Sequence, residues 1–309
     1  LNPTIFNVGK EPQCVDVSDF NNDGNTDIAV ANGLDSTISI LLGNGNGTFS
    51  DTLNVLVQIS PVAVSIADFN KDGKIDIAVA NYGSKTVSIL LGHGDGTFNV
   101  ATTIFIDGTP NSVSIADFNN DGKLDFVTTN SKFNSISIVL GNGDGTFANA
   151  SNITITDYPS STAIGDYNGD GKVDIAVVKY LDNSVSLFLG KGDGSFDLST
   201  NEPVGKYPWS IFTNDFNSDG KADLIIANSG ENTVSVLLNA PPLPPIANTV
   251  IEMDSTYFIA SWNSVKSASS YIIDVATDSS FSNIISDYNN KNVSNIQTYK
   301  ISGLTVGNT

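Results

Sequence analysis

Arginine is absent from the 309-residue chain. All 14 basic residues are lysines, so the planar guanidinium that clamps phosphates and carboxylates in bidentate fashion is not available. Set against 33 acidic residues they leave a net charge of −19, which argues against nucleic acid or an anionic membrane as a partner, because both need a basic face. The single cysteine, Cys14, rules out an intrachain disulfide and a cysteine-based metal site, and its alternating neighbours make it a small buried strand residue. No apolar run approaches the ~18 residues that a membrane-spanning helix needs, so no membrane insertion is expected. No charged segment followed by an apolar core opens the chain, so no signal peptide is expected within it. Helical periodicity is missing throughout.

What is present is a repeat. The pattern D-x-N-x-D-G-x-x-D begins at Asp19, Asp68, Asp117, Asp166 and Asp215, each start 49 residues after the last (68−19, 117−68, 166−117, 215−166). A proline recurs in the same phase as Pro12, Pro61, Pro110, Pro159 and Pro208, and with φ fixed and no N–H it suits the first residue of a strand. After it comes a short alternating run such as Val64-Ser65-Ile66-Ala67, then the acidic loop. A nearly continuous apolar run follows, such as Ile77-Ala78-Val79-Ala80, which reads as a strand covered on both faces. A polar turn (Asn32-Gly33, Asn81-Tyr82-Gly83) leads to a third strand such as Thr86–Leu91, which ends in a glycine-rich turn such as Gly92-His93-Gly94-Asp95-Gly96, where positive φ angles are tolerated. Phe49, Phe98, Phe147 and Phe196 then open a fourth strand.

Four short strands per 49 residues without a helix predict an all-β fold, a β-propeller of five four-stranded blades over residues 1–239. The fifth blade lacks its glycine turn and fourth strand, while residues 1–11 match a fourth strand without a blade. The two could pair and close a five-bladed ring, or the five blades are an arc of a seven-bladed one. Residues 240–246 are a stiff proline-rich linker built on Pro241-Pro242-Leu243-Pro244-Pro245. Residues 247–309 carry another pattern. Trp262, Ala268, Tyr271, Phe281 and Leu304 resemble the anchors of a fibronectin type III domain, an immunoglobulin-like sandwich that is incomplete here.

The chemistry sits in the loops. A hard divalent cation takes about six to eight oxygens, most simply from alternate side chains and a carbonyl. Positions one, three, five and nine are Asp19, Asn21, Asp23 and Asp27 in the first loop, and Asp68, Asn70, Asp72 and Asp76 in the second. They are Asp117, Asn119, Asp121 and Asp125 in the third, Asp166, Asn168, Asp170 and Asp174 in the fourth, and Asp215, Asn217, Asp219 and Asp223 in the fifth. Position six is always glycine, and position seven varies in type (Asn25, Lys74, Lys123, Lys172, Lys221), as a residue that offers only its backbone carbonyl would. Oxygen ligands on a flexible loop favour calcium over zinc, copper or magnesium, about five ions, which would carry −19 to −9 by addition. An EF-hand is excluded, because its twelfth position needs glutamate and has Val30, Val79, Thr128, Val177 and Ile226, in a strand rather than a helix.

With these residues the chain resembles the FG-GAP, or VCBS-type, repeat family, the calcium-binding propeller blades of integrin α-subunit heads and of many bacterial secreted proteins; Asp68–Asp76 followed by Ile77-Ala78-Val79-Ala80-Asn81 fits the pattern throughout. The resemblance implies calcium on the residues named above and a secreted or cell-surface, bacterial protein. The Gly-Ala-Pro element of the family is degenerate, with Ala80-Asn81 and Ala227-Asn228 in its place. The function expected is a non-catalytic adhesion or binding module with a protein or glycan ligand. Alternatives are a lectin-like propeller or an accessory domain of a secreted polysaccharide-degrading enzyme. Tyr82, Tyr180, Tyr207 and Trp209 lie on or near turns, do not recur as a set at one repeat position, and read as blade-edge packing. His93 occupies a turn position held elsewhere by Asn44, Asn142 and Lys191, and no nucleophile with a base is discernible.

Overall fold

The computed structural model describes residues 3–50, 52–239, 248, 252–253, 256–264, 270–276, 280 and 282–303, divided into two units, 1–239 and 240–309. The linker at 240–246 and the sequence anchors Ala268, Phe281 and Leu304 lie outside the described residues.

In the first unit each repeat folds into one antiparallel sheet in strand order. The first blade is β1 (Pro12–Ser18), β2 (Asp27–Asn32), β3 (Thr37–Leu41) and β4 (Leu53–Leu56). The second is β5 (Pro61–Ala67), β6 (Asp76–Asn81), β7 (Thr86–Leu90) and β8 (Thr102–Phe105). The third is β9 (Ser114–Ala116), β10 (Asp125–Asn130), β11 (Ser135–Val139) and β12 (Ser151–Thr154). The fourth is β13 (Pro159–Gly165), β14 (Asp174–Lys179), β15 (Ser184–Gly190) and β16 (Phe196–Pro203). The fifth has three strands among the described residues, β17 (Pro208–Asn214), β18 (Asp223–Asn228) and β19 (Thr233–Leu237).

The recurring proline opens the first strand in four blades, and in each of them a bulge follows it, as where Pro61 faces Asn81 but Ala63 faces Ala80. Pro110 makes only an isolated bridge to Asn130, so β9 is cut to three residues. The fourth strand departs from expectation. Phe49, Phe98 and Phe147 form single bridges to Gly43, Gly92 and Gly141, and the strand resumes a few residues later. Only β16 runs on from Phe196, because a bulge between Leu187 and Phe188 absorbs the extra residue. Residues 3–8 are not assigned to a strand and form no ladder with β19. They lie along the first blade, where Thr52 Oγ1 donates to Asn7 O and Phe6 meets Phe49 edge to face at 5.1 Å, as Val55 of the fourth strand β4 shares a core with Phe98 of the second blade.

Blades pack face to face through four apolar cores, one at each junction. Between blades two and three, Phe69, Val87 and Ile89 meet Val113, Phe126 and Val139. The second strands are buried along their whole length in blades two to four, since both faces of the sheet are covered. Aromatic rings fasten neighbours: the loop phenylalanine of one blade meets the turn phenylalanine of the next edge to face, Phe20 with Phe98 at 5.7 Å, Phe69 with Phe147 at 5.5 Å and Phe118 with Phe196 at 5.6 Å. Among the described residues no such core joins the fifth blade to the first. Val15 is 60% exposed where its counterpart Val64 is 6% exposed, and Val236 is 51% exposed where Ile89 is 1%.

The second unit is also β. Its strands β20 (Glu252–Met253) and β21 (Tyr257–Ser261) form a sheet with β24 (Thr298–Ser302), while β22 (Ile272–Ile273) pairs with β23 (Lys291–Asn292). Trp262, Tyr271 and Val293 are its buried core, the two rings 5.6 Å apart. Among the described residues, no helix of the chain is long and apolar enough to cross a membrane.

Candidate metal centre

Each acidic loop joins the first strand of a blade to the second, and all five close in the same way. The first aspartate accepts the backbone N–H of positions five and six: Asp68 takes Asp72 N at 3.2 Å and Gly73 N at 2.9 Å. Position three accepts the same N–H at five, Asn70 Oδ1 at 3.1 Å, and position five accepts the N–H at seven, Asp72 Oδ1 from Lys74 N at 2.9 Å. The counterparts around Asp19, Asp117, Asp166 and Asp215 repeat these bonds. This winding needs a left-handed residue at position four as well as at six. Asn22, Lys71, Asn120, Gly169 and Ser218 have φ between 57° and 77°. Sequence reading singled out only the glycine, because the residue at position four varies.

The ninth residue is the buried one. Asp27, Asp76, Asp125, Asp174 and Asp223 are fully buried, and each ties the loop to the turn between the third and fourth strands. Asp125 Oδ2 accepts from Phe118 N and Oδ1 from Gly141 N, both at 2.8 Å. In the fifth blade, where the glycine turn is replaced, Asp223 Oδ1 accepts from Asn239 N at 2.7 Å instead.

Burial pushes Asp76, Asp125 and Asp174 above the usual carboxylate range; the two N–H donors oppose this, and repulsion from the first and fifth aspartates of the same loop adds to it. The carboxyls of Asp23, Asp121 and Asp170 are held below that range, first by the N–H at position seven. In three loops the position-seven lysine also reaches the fifth aspartate, with Nζ to carboxylate distances of 3.6 Å for Lys74–Asp72, 3.2 Å for Lys123–Asp121 and 3.6 Å for Lys172–Asp170.

The donor set is oxygen only, from residues one, three and five on the exposed turn, with residue nine beneath them. These donors suit a hard cation in kind. Among the described residues no three acidic, histidine or cysteine side chains converge closely enough to hold an ion as they stand, since their oxygens are turned to the loop's own N–H groups.

Two groups escaped the sequence reading. The polar turn after the second strand hides a buried asparagine, Asn32, Asn81, Asn130 or Asn228, whose Nδ2 reaches hydroxyls five and seven residues on; Asn81 donates to Thr86 Oγ1 at 3.2 Å and Ser88 Oγ at 2.9 Å. In the fourth blade Lys179 stands there, buried and paired with Asp182 at 2.5 Å. The recurring Thr-x-Ser or Ser-x-Ser after the turn was the available signal. The second group is aromatic: Tyr180 stacks on Tyr207 at 5.1 Å and meets Trp209 edge-on at 5.6 Å, so residues read as separate edge packing come together. His93, by contrast, is exposed in its turn, its N–H donating to Thr97 O.

Successive four-stranded sheets packed face to face, each with an acidic loop at one end, define a β-propeller. The FG-GAP-like repeat family matches residues 19–79, 68–128, 117–177 and 166–226, and the chain belongs to that family. Solved structures similar to it include BBS1N in complex with ARL6DN, at 13% identity and TM-score 0.53, covering 82% of this chain and 77% of that one. A functionally unknown protein from Desulfotomaculum acetoxidans DSM 771 is 12% identical with TM-score 0.53, covering 94% and 90%. A putative 6-phosphogluconolactonase from Bacteroides uniformis ATCC 8492 is 15% identical with TM-score 0.51, covering 97% and 88%. At these identities the likeness is one of fold. No curated protein matches the chain.

Proposed function

We propose that the chain is a non-catalytic binding module of a secreted or surface protein, with a propeller stabilised by calcium in its loops. The observation that carries this reading is the fully buried ninth aspartate, whose carboxyl is raised in three loops first by burial, with repulsion from the first and fifth aspartates adding to it. Three carboxylates held on nine residues repel one another, and a divalent cation bound only in the folded state relieves that repulsion and stabilises the fold by mass action. The ligands in each loop are the side chains at one, three, five and nine with the carbonyl at seven. Binding requires the first and fifth carboxylates to trade backbone N–H bonds for the ion. A binding role fits a rigid array whose lone histidine is an exposed turn residue and which has no arginine. The second unit, with its Trp262–Tyr271 core, we read as fibronectin type III-like.

The test is thermal unfolding of the full chain in calcium and after exhaustive chelation. A fall in melting temperature of many degrees on chelation, reversed by calcium and not by sodium, supports the reading. Equal melting temperatures overturn it.

A further inference from the structure

We propose that Tyr158, Tyr180, Tyr207 and Trp209 form an open aromatic platform that binds the pyranose rings of a neutral oligosaccharide. Tyr158 and Tyr180 are 5.9 Å apart, Tyr180 and Tyr207 lie nearly parallel with 25° between their planes, and Trp209 stands edge-on to Tyr180. The group spans blades four and five at the end where first strands begin and second strands finish, which antiparallel pairing places opposite the acidic loops.

The platform is held firmly by its backbone. Tyr180 N donates to Tyr158 O at 3.0 Å, Tyr207 N to Asn183 Oδ1 at 2.8 Å, and Ser229 N to Tyr207 O at 3.0 Å. Both Tyr158 and Tyr207 adopt left-handed backbone, at φ 59° and 51°, a conformation unfavourable for a bulky side chain. The same repeat position is left-handed with small or polar residues in the first two blades, Glu11 at 55° and Ser60 at 59°, so the turn itself does not call for an aromatic ring. Space is also reserved for one of the rings: a Cβ on Gly230 would stand 2.4 Å from Tyr207 Cδ2. Despite their size, Tyr207 is 45% and Trp209 52% exposed.

The surroundings select the ligand. Of the acidic groups next to the platform, Asp182 is engaged with Lys179 and Glu231 with Lys206, which leaves Asp157, adjacent to Tyr158 in the chain, as a carboxylate at one edge rather than a ring of acidic groups caging an organic cation. Nucleobases would stack equally well, but their phosphates meet a chain of net charge −19 without arginine. A fully apolar ligand is best served by an enclosed pocket, whereas Tyr207 and Trp209 are half open to water and Tyr158 and Tyr180 partly so. A pyranose has an apolar C–H face that lies on an aromatic ring and hydroxyls at its edge that reach polar side chains such as Lys206 and Glu231. That matches a flat, rigid, half-exposed platform with a polar border.

This inference rests on the reading of the chain as a binding module but not on its calcium. The probes are the hexasaccharides of β-1,4-glucan, β-1,3-glucan, β-1,4-mannan and α-1,6-glucan, titrated into the full chain by calorimetry and by tryptophan emission. Trp209 is one of two tryptophans and the exposed one, Trp262 being buried in the second unit. Saturable binding of at least one hexasaccharide with a change in emission is expected. Tyr207→Ser and Trp209→Gln, which place the residues found at the same repeat positions as Ser60 and Gln13, should each weaken it by about tenfold, the factor equivalent to ~1.4 kcal/mol, with unfolding midpoints close to the parent. Tyr82→Ala, at the repeat position of Tyr180 two blades away, should leave it unchanged. Absence of saturable binding across the panel, or equal binding by the Tyr207→Ser/Trp209→Gln double variant, overturns the proposal. Binding that persists while chelation leaves the melting temperature unchanged would retire calcium and keep the platform; the converse result would do the reverse.

Discussion

Asp76 Oδ1 accepts the backbone N–H of Gly92 at 2.8 Å, joining two turns that lie 16 residues apart, while its Oδ2 takes Phe69 N at the same distance. The ninth loop residue therefore has a structural duty whether or not an ion is bound. Asp76→Ala leaves two buried N–H groups without an acceptor and is expected to cost about 2–4 kcal/mol in chelator, read from denaturant midpoints. Asp72→Ala, on the exposed side of the same loop, should leave the cation-free midpoint nearly unchanged and reduce the rise caused by calcium.

Gly92 is required for a different reason from its neighbours. A Cβ there would lie 2.1 Å from Ile75 O, and the same clash recurs at Gly43, Gly141 and Gly190. Gly92→Ala should destabilise by about 2 kcal/mol or more through forced backbone movement. Gly94→Ala, at φ 76° with only side chains nearby, should cost about 1 kcal/mol. Equal losses for the two variants would contradict the packing described.

Blade position governs the worth of identical residues. Val64→Ala opens a cavity between blades one and two and should cost about 1–3 kcal/mol, whereas Val15→Ala, at the same repeat position on the uncovered face of the first blade, should stay within about 0.5 kcal/mol. Urea titration of the two variants side by side checks this.

Tyr167 stands where the other loops have Phe20, Phe69, Phe118 and Phe216. Its buried hydroxyl has no hydrogen-bond partner, the hydroxyl of neighbouring Thr213 donating instead to Asp223 O at 3.0 Å. Removing it in Tyr167→Phe should be neutral or stabilising by up to about 1 kcal/mol. Burial also raises its pKa from 10.0 to about 12. Between those values the unfolded chain releases a proton that the folded chain keeps, so the stability owed to this group is intact below pH 10 and is lost as pH rises toward 12. The phenylalanine variant should lose less stability across that window.

Much of this was legible from residues alone, because the constraints were local and repeated. A nine-residue pattern at a fixed period specified the loops, a proline the start of the first strand in four of the five blades, and a run such as Ile77–Ala80 a strand covered on both sides. The strand state of residues 3–8 was not legible: pattern matching placed them in phase with a fourth strand, and they take that place against Phe49 and Thr52 of the first blade without forming a ladder. Nor did the text reveal that Asn81 is a buried donor rather than a turn residue, since Asn serves both purposes and only its hydroxyl partners on the next strand decide.

The sequence by itself determined the all-β character, the number of repeats and the positions of the acidic loops, since period and residue type act over a few neighbours. Tertiary structure decided which carboxylate is buried, which glycine is a contact rather than a hinge, and which aromatic rings meet. Those outcomes depend on chain segments tens of residues apart being brought within a few ångströms, and neither composition nor spacing records that approach.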